Sequence, residues 1–230
     1  MPVAAILVAA GAGVRMGAPV PKALMPLAGR PMAAWSAEAL VAGGVVDALV
    51  VVAPPGMEGD LEAALGPLPV PVAVVPGGAS RAASVREGLA ALPPGTATVL
   101  VHDAARPLVS AETVAAVAAA AGGGDGAIAA APVADTLKQE GADGAIDGTV
   151  PRAGLWGAQT PQGFPVAVLR AAVEAAAAAG ALDAATDCAS LVEAAGGRVR
   201  LVETRGPNLK VTTPADRDLA EAILAGRSRG

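Results

Sequence analysis

Short apolar runs alternate with helix-forming runs along almost the whole of this chain, and no other feature restricts its fold as much. The strand-like runs are Ala4–Ala9, Ala48–Ala53, Val70–Val75, Thr98–His102, Gly126–Ala131 and Val199–Val202. Helices are predicted at Pro31–Ala42, Glu58–Leu65, Ser80–Leu92, Ala111–Ala121, Pro165–Ala179, Asp187–Ala195 and Pro214–Leu224. Strands that are apolar throughout, rather than at every second residue, are strands covered on both faces. The expected fold class is therefore α/β: a Rossmann-like, mostly parallel sheet with helices on both faces. Pro31, Pro165 and Pro214 suit first helical turns, Ser80 and Ser110 suit N-caps, and Gly180 and Gly196 suit helix stops.

The alternation lapses between Asp135 and Trp156. That stretch is polar, carries Gly141, Gly144, Gly148 and Gly154, and has two short β-prone pieces, Thr136–Gln139 and Ala145–Val150. It reads as a hairpin arm projecting from the sheet at about 135–156; a loose surface loop is the other reading. An isolated two-stranded arm is marginal in water. It is expected to pack on a second copy of itself, giving a homodimer. With no internal repeat and no linker, residues 1–230 read as one domain.

Composition removes several classes of function. The 16 Lys and Arg against 21 Asp and Glu leave a net charge of −5, which argues against a general nucleic-acid surface. Any anion site must be a local cluster. Cys188 is the one cysteine, so no internal disulfide forms, as suits a reducing cytoplasm. The N-terminus runs straight into a strand with no basic leader, and no apolar run reaches the roughly 18 residues of a membrane span. The one histidine, His102, leaves no His-rich zinc site and no spare residue for a Ser-His-Asp triad.

The first strand opens into Ala9-Ala10-Gly11-Ala12-Gly13-Val14-Arg15-Met16-Gly17, and Pro21-Lys22 follows. Glycines let a backbone come close to a ligand and turn N–H groups toward an anion. Two cations after such a loop suit a polyphosphate on which charge builds. A P-loop is excluded, because the chain has no Gly-Lys pair. A dinucleotide fingerprint fails at Met16, where its third glycine belongs, and the second strand ends in Ala53-Pro54-Pro55 with no acid for a ribose. A protein-kinase loop lacks its partner motifs. Taken alone, the loop serves equally as a tight strand-to-helix turn.

Three further stretches carry chemistry. Gly77-Gly78-Ala79-Ser80-Arg81-Ala82-Ala83-Ser84 offers backbone groups to a flat base, with Ser84 at its edge and Arg81 supporting the loop from behind. Val101-His102-Asp103-Ala104-Ala105-Arg106-Pro107 ends a strand, so Asp103 can accept from hydroxyls or help place a metal, and Arg106 can hold a phosphate or brace Asp103. His102 is not nominated as a base. Thr136, Arg152 and Thr160 are donors of the kind that grip a phosphorylated polyol, although Arg152 also suits a solvated hairpin. Lys210 sits between apolar residues in a predicted short strand. Facing inward it needs an anionic partner; facing outward it needs none.

In order, these motifs resemble those of the 2-C-methyl-D-erythritol 4-phosphate cytidylyltransferases of the non-mevalonate isoprenoid pathway, within the sugar-phosphate nucleotidyltransferases. The resemblance runs from Val8 to Thr213 through Ala-Ala-Gly-x-Gly-x-Arg-Met, Pro-Lys, Gly-Gly-x-x-Arg-x-x-Ser-Val, Val-His-Asp-Ala-Ala-Arg-Pro, Asp-Thr, Arg-x-Gly-Leu-Trp, Thr-Pro-Gln, Thr-Asp and Lys-Val-Thr. It implies a Mg²⁺-dependent homodimer with swapped arms. It implies that CTP lies along Ala9, Ala10, Gly11, Ala12 and Gly13, its cytosine against Gly78, Ala79 and Ser84. It implies catalytic roles for Arg15, Lys22, Arg152 and Lys210, and an acceptor held by Asp103, Arg106, Thr136, Thr160 and Thr186. Mg²⁺ is expected mainly on the CTP phosphates, with Asp103 as the candidate protein ligand.

The chain departs from the resemblance at Ala79-Ser80-Arg81-Ala82-Ala83, where many relatives have acids, and at Cys188, where an acid is often seen. No cyclase domain follows Gly230, which suggests the stand-alone form. Two alternatives stand beside the main expectation. One is a ribitol-5-phosphate cytidylyltransferase, disfavoured by Arg-x-Gly-Leu-Trp. The other is a non-catalytic nucleotide-binding regulator, disfavoured by the pairing of Arg15 with Lys22.

Overall fold

The computed structural model describes residues 1–11 and 20–227. Its strands are β1 (Val3–Val8), β2 (Pro26–Leu27), β3 (Arg30–Pro31), β4 (Ala48–Ala53), β5 (Val72–Pro76), β6 (Thr98–Asp103), β7 (Gly126–Pro132), β8 (Leu137–Glu140), β9 (Ile146–Val150), β10 (Trp156–Pro165) and β11 (Val199–Glu203). Its helices are α1 (Met32–Val41), α2 (Glu58–Leu65), α3 (Arg81–Ala90), α4 (Ala111–Ala121), α5 (Val166–Ala178), α6 (Cys188–Ala194) and α7 (Pro214–Arg227). Seven strands form the central sheet in the order β11-β7-β10-β6-β1-β4-β5. All pairings within it are parallel except those of β10, which runs antiparallel to both β6 and β7.

The continuous apolar strands explain the two-faced core. Along β1 and β4, Ala5, Leu7, Leu49 and Val51 face one layer, where Ala33, Ala37 and Leu40 of α1, Leu61 of α2, and Val114 and Val117 of α4 cover them. The alternate residues Ile6, Val50 and Val52 face the other. There Val85 and Leu89 of α3, Leu169 and Val173 of α5, and Leu191 and Val192 of α6 close the layer. Each buried Val or Leu contributes roughly 1.5–3 kcal/mol. A third cluster joins Leu27, Met32, Leu108 and Val211 to Ala220 and Leu224 of α7.

Helix ends follow their capping residues. The Ser80 and Ser110 hydroxyls accept from the backbone N–H groups of Ala83 and Thr113, as N-caps do. Asp187 forms a capping box with Ser190 at the start of α6. Gly180 and Gly196, just past α5 and α6, take the positive φ that ends a helix. Pro214 opens α7, whereas Pro31 and Pro165 stand one residue ahead of their helices, as N-caps.

Two expectations need correction. The residue pattern gives no strand over 156–165, yet β10 lies between β6 and β7 within the sheet. Its two prolines, two glycines and two glutamines hide any strand pattern. Its ladder is interrupted between Ala158 and Gln162, where the register shifts and the Thr160–Pro161 peptide is cis. Second, Lys210 is not in a strand. Residues 204–213 are irregular and are tied to the sheet edge by Val211 N–H, which donates to the Ala105 carbonyl at 2.8 Å. β8 pairs antiparallel with β9 alone, as a hairpin outside the main sheet.

Candidate active site

The parallel strands β1, β4, β5 and β6 end at one edge, which is where open α/β sheets bind ligands. Short backbone hydrogen bonds fix the loops as they leave it: Ala9 N–H to the Val52 carbonyl at 2.9 Å, Ala104 N–H to Val8 at 3.0 Å, and Gly77 N–H to Ala53 at 2.8 Å. The start of the loop after β1, at Ala9 and Ala10, therefore lies beside the Gly77 turn. A Cβ on Gly77 would sit 2.5 Å from the Ala10 Cβ and 3.1 Å from the Ala53 carbonyl oxygen, so only glycine fits that contact.

Asp103, at the end of β6, anchors the charged part of the site. Its Oδ1 accepts from Arg81 Nε at 3.0 Å and its Oδ2 from Lys210 Nζ at 2.7 Å. Burial alone would raise the Asp103 carboxyl, but Arg81 and Lys210 overcome it and hold the group well below the usual carboxylate range. Arg81 also reaches Cys188 Sγ at 3.6 Å. Burial pushes the Cys188 thiol up despite the neighbouring guanidinium, so it stays protonated at neutral pH. Arg106, mostly buried, feels both Asp103 and Arg81 and donates through Nη1 to the Asn208 carbonyl at 2.7 Å. Arg81 and Lys210 pair with this one carboxylate and Arg106 feels it too, so cations gather locally on a chain of net charge −5.

His102 is fully buried beside them. Burial pushes its imidazole down to about 4. Its Nε2 lies 3.1 Å from the Arg106 carbonyl and its Nδ1 3.0 Å from Thr160 Oγ1. A carbonyl only accepts, so Nε2 carries the hydrogen and Nδ1 takes one from Thr160. Thr160 Oγ1 in turn accepts from Asp103 N–H at 3.1 Å. The ring is thus neutral and fully engaged, in keeping with its omission as a base.

The other expected residues fall into place unevenly. Ala9, Ala10 and Gly11 begin the loop after β1, while Ala12, Gly13 and Arg15 lie outside the described residues. Lys22, half-buried, opens a 3₁₀ turn at Lys22–Leu24. Gly78 and Ala79 are accessible. Ser84 is not: it is 1% exposed and its hydroxyl accepts from Gly78 N–H at 3.2 Å, so it shapes the loop instead of meeting a base edge. Thr160 likewise spends its hydroxyl inside the fold and steadies Asp103. Thr186 is exposed just ahead of α6. Thr136 and Arg152 lie on the arm, where Arg152 donates to the Ala134 carbonyl. Within one chain they stay with the arm and are not joined to the Asp103 cluster.

Sequence reasoning gave no role to Gln159, Asn208 or Cys188, all of which hold the cluster together. Buried amides beside a motif threonine and lysine were the available signal. The donor set around Asp103 does not fit a protein-held metal, because each carboxylate oxygen already faces a cation. Among the described residues no group of three or more His, Cys, Asp or Glu is placed to hold one. No described helix is long and apolar enough to cross a membrane.

A family model for 2-C-methyl-D-erythritol 4-phosphate cytidylyltransferase matches residues 3–226, nearly the whole chain. The chain belongs to this cytidylyltransferase family. A family member from Synechocystis sp. is 42% identical over 225 residues, covering 97% of both chains. One from Ralstonia nicotianae is 47% identical over 234 residues, covering 96% of this chain and 91% of its own. The crystal structure of the Thermus thermophilus cytidylyltransferase aligns at a TM-score of 0.80 and 37% identity over 98% of this chain and all of that one. That of the Anaerococcus prevotii 4-diphosphocytidyl-2C-methyl-D-erythritol synthase aligns at 0.84 and 28%, over 97% and 98%.

Proposed function

We propose that this chain transfers a cytidylyl group from CTP to 2-C-methyl-D-erythritol 4-phosphate, releasing pyrophosphate and forming 4-diphosphocytidyl-2-C-methyl-D-erythritol. Family membership supports the reaction. The observation that carries it to this site is the cluster of cations around Asp103, set at the sheet edge where the chain leaves β1 and β5 at Ala9 and Gly77. An acidic chain has little other reason to gather Arg81, Arg106 and Lys210 there.

In this reading CTP lies along Ala9–Gly13 with its base against Gly78 and Ala79. An acceptor phosphate oxygen attacks the α-phosphorus in line, the bond to the β-phosphate oxygen breaks, and pyrophosphate leaves. The attacking oxygen is already ionised at neutral pH, so no general base is required, and the neutral, internally bonded His102 agrees with that. Arg15 and Lys22 stabilise the charge that grows on the phosphorus and leaving group, while Lys210 and Arg152 place the acceptor phosphate. The lone pairs of Asp103 not spent on Arg81 and Lys210 take hydroxyls of the polyol, with Arg106, Thr136 and Thr186 around it. Mg²⁺ enters on the triphosphate as part of the nucleotide substrate. Arg152 comes from the arm of a second copy in a homodimer, and the enzyme works in the cytoplasm.

Pyrophosphate release tests this, with CTP, ATP, UTP and GTP each offered methylerythritol 4-phosphate or ribitol 5-phosphate. Release with CTP and the branched acceptor alone is expected. Preference for ribitol phosphate would move the enzyme to another pathway. No release with either acceptor, despite CTP binding, would sink the catalytic reading.

A further inference from the structure

Lys210 reaches Asp103 from an irregular segment, and its side chain is 41% exposed. Something other than secondary structure must fix its place. Two residues upstream, Asn208 is 4% exposed. Its Nδ2 donates to the Thr160 carbonyl at 2.8 Å and to Gln159 Oε1 at 2.9 Å. The backbone carbonyl can only accept, which settles the way the Asn208 amide faces. Gln159 Oε1 also accepts from Thr204 Oγ1 at 3.0 Å. Gln159 and Thr160 therefore grip the segment at both 204 and 208, and both lie where the β10 ladder shifts register. Such an interruption re-aims groups that a regular ladder would consume.

The same residues fix the other half of the ion pair. Thr160 uses its hydroxyl to hold Asp103 N–H and the His102 ring, and its carbonyl to hold Asn208. His102 closes the circuit through the Arg106 carbonyl, and Arg106 through the Asn208 carbonyl. We propose that Asn208, aided by Gln159, is a positioning residue that sets Lys210 against Asp103 for the acceptor phosphate without touching substrate. The proposal rests on the functional reading above for what Lys210 grips, though not for the circuit itself.

The test begins with wild-type turnover and then compares Asn208→Asp, Asn208→Ala and Gln159→Met. Asn208→Asp keeps the shape but turns an acceptor toward two acceptors, so it should disturb Lys210 more than Asn208→Ala does. The expected result is an acceptor KM raised about tenfold or more, with the CTP KM within about twofold. A merely structural role would lower the folded fraction and the apparent kcat, leaving both KM values alone. Because His102 is the chain's one histidine, its ring ¹⁵N shifts give a readout that needs no turnover. They should move in Asn208→Asp through the shared Thr160. An unchanged acceptor KM with unmoved His102 signals, in a variant that still folds, would overturn the proposal. Should Asn208→Asp fail to fold, the half-buried Gln159→Met decides by the same two readouts. A wild-type enzyme without turnover would sink the functional reading, and the His102 shifts would still decide whether the circuit exists.

Discussion

At the scale of single residues, charge and burial set the behaviour of the site. Lys22 stands after the loop that follows β1. If it stabilises the charge on the leaving pyrophosphate, Lys22→Ala should lower kcat by about 10²–10³-fold with a smaller change in the KM for CTP. Steady-state kinetics would check this, and near wild-type turnover would remove the assigned role. His102 has a consequence for stability. The unfolded chain takes up a proton at His102 as pH falls through about 6.5, whereas the folded chain resists until about 4. The contribution of the neutral ring is therefore whole above about 6.5 and is lost as pH falls between those values. From pH 7 to pH 5 the loss should be about 2 kcal/mol. Urea unfolding at fixed protein concentration should show it in the wild type and a flatter profile in His102→Asn. Asp103 adds little between pH 7 and pH 5, since the unfolded carboxyl takes up a proton only near pH 3.8; below that, the stability from its ion pairs begins to be lost.

Elements show what could be read from the residues and what could not. Ala48–Ala53, Glu58–Leu65 and Ala111–Ala121 match their expected bounds, because an uninterrupted apolar run, a closing glycine at Gly66 and a serine N-cap at Ser110 respectively mark where they end or begin. β10 carried no such signal. Its buried residues, 160–164, include a proline, a glycine and a glutamine, and its place in the sheet is set by partners far away in sequence. Ser84 and Thr160 match motif positions, but their hydroxyls are turned into the fold, and a motif does not show which way a hydroxyl turns. The sequence leaves Lys210 between an inward lysine needing an anion and an outward one needing none; in the structure its side chain is 41% exposed while its ammonium reaches Asp103. The contact between Ala10 and the Gly77 turn gives an element-scale prediction. Gly77→Ala should drive Ala10 and the Gly77 turn apart, weaken CTP binding about tenfold or more, and lower stability by about 1–3 kcal/mol. Calorimetric titration with CTP and thermal melts would measure both, and unchanged CTP affinity would show that the two loops do not share a ligand.

For the whole molecule, the arm is the part that one chain leaves unfinished. Ile146 is 67% exposed, and Val150 and Leu155 are also exposed on or beside a hairpin that pairs only with itself. If two arms cover one another, Ile146→Asp should shift the enzyme from dimer to monomer in sedimentation velocity and lower turnover with it. A monomeric wild type would contradict the swapped arm and return Arg152 to solvent. Arm, loops and Asp103 cluster should serve one reaction, attack by an acceptor phosphate oxygen on the α-phosphorus of CTP. The most direct measurement is ³¹P NMR of the products formed from CTP and methylerythritol phosphate labelled with ¹⁸O on its phosphate. The expected result is a diphosphate product with ¹⁸O in its bridge and unlabelled pyrophosphate. Label in the pyrophosphate, or no diphosphate product at all, would contradict it.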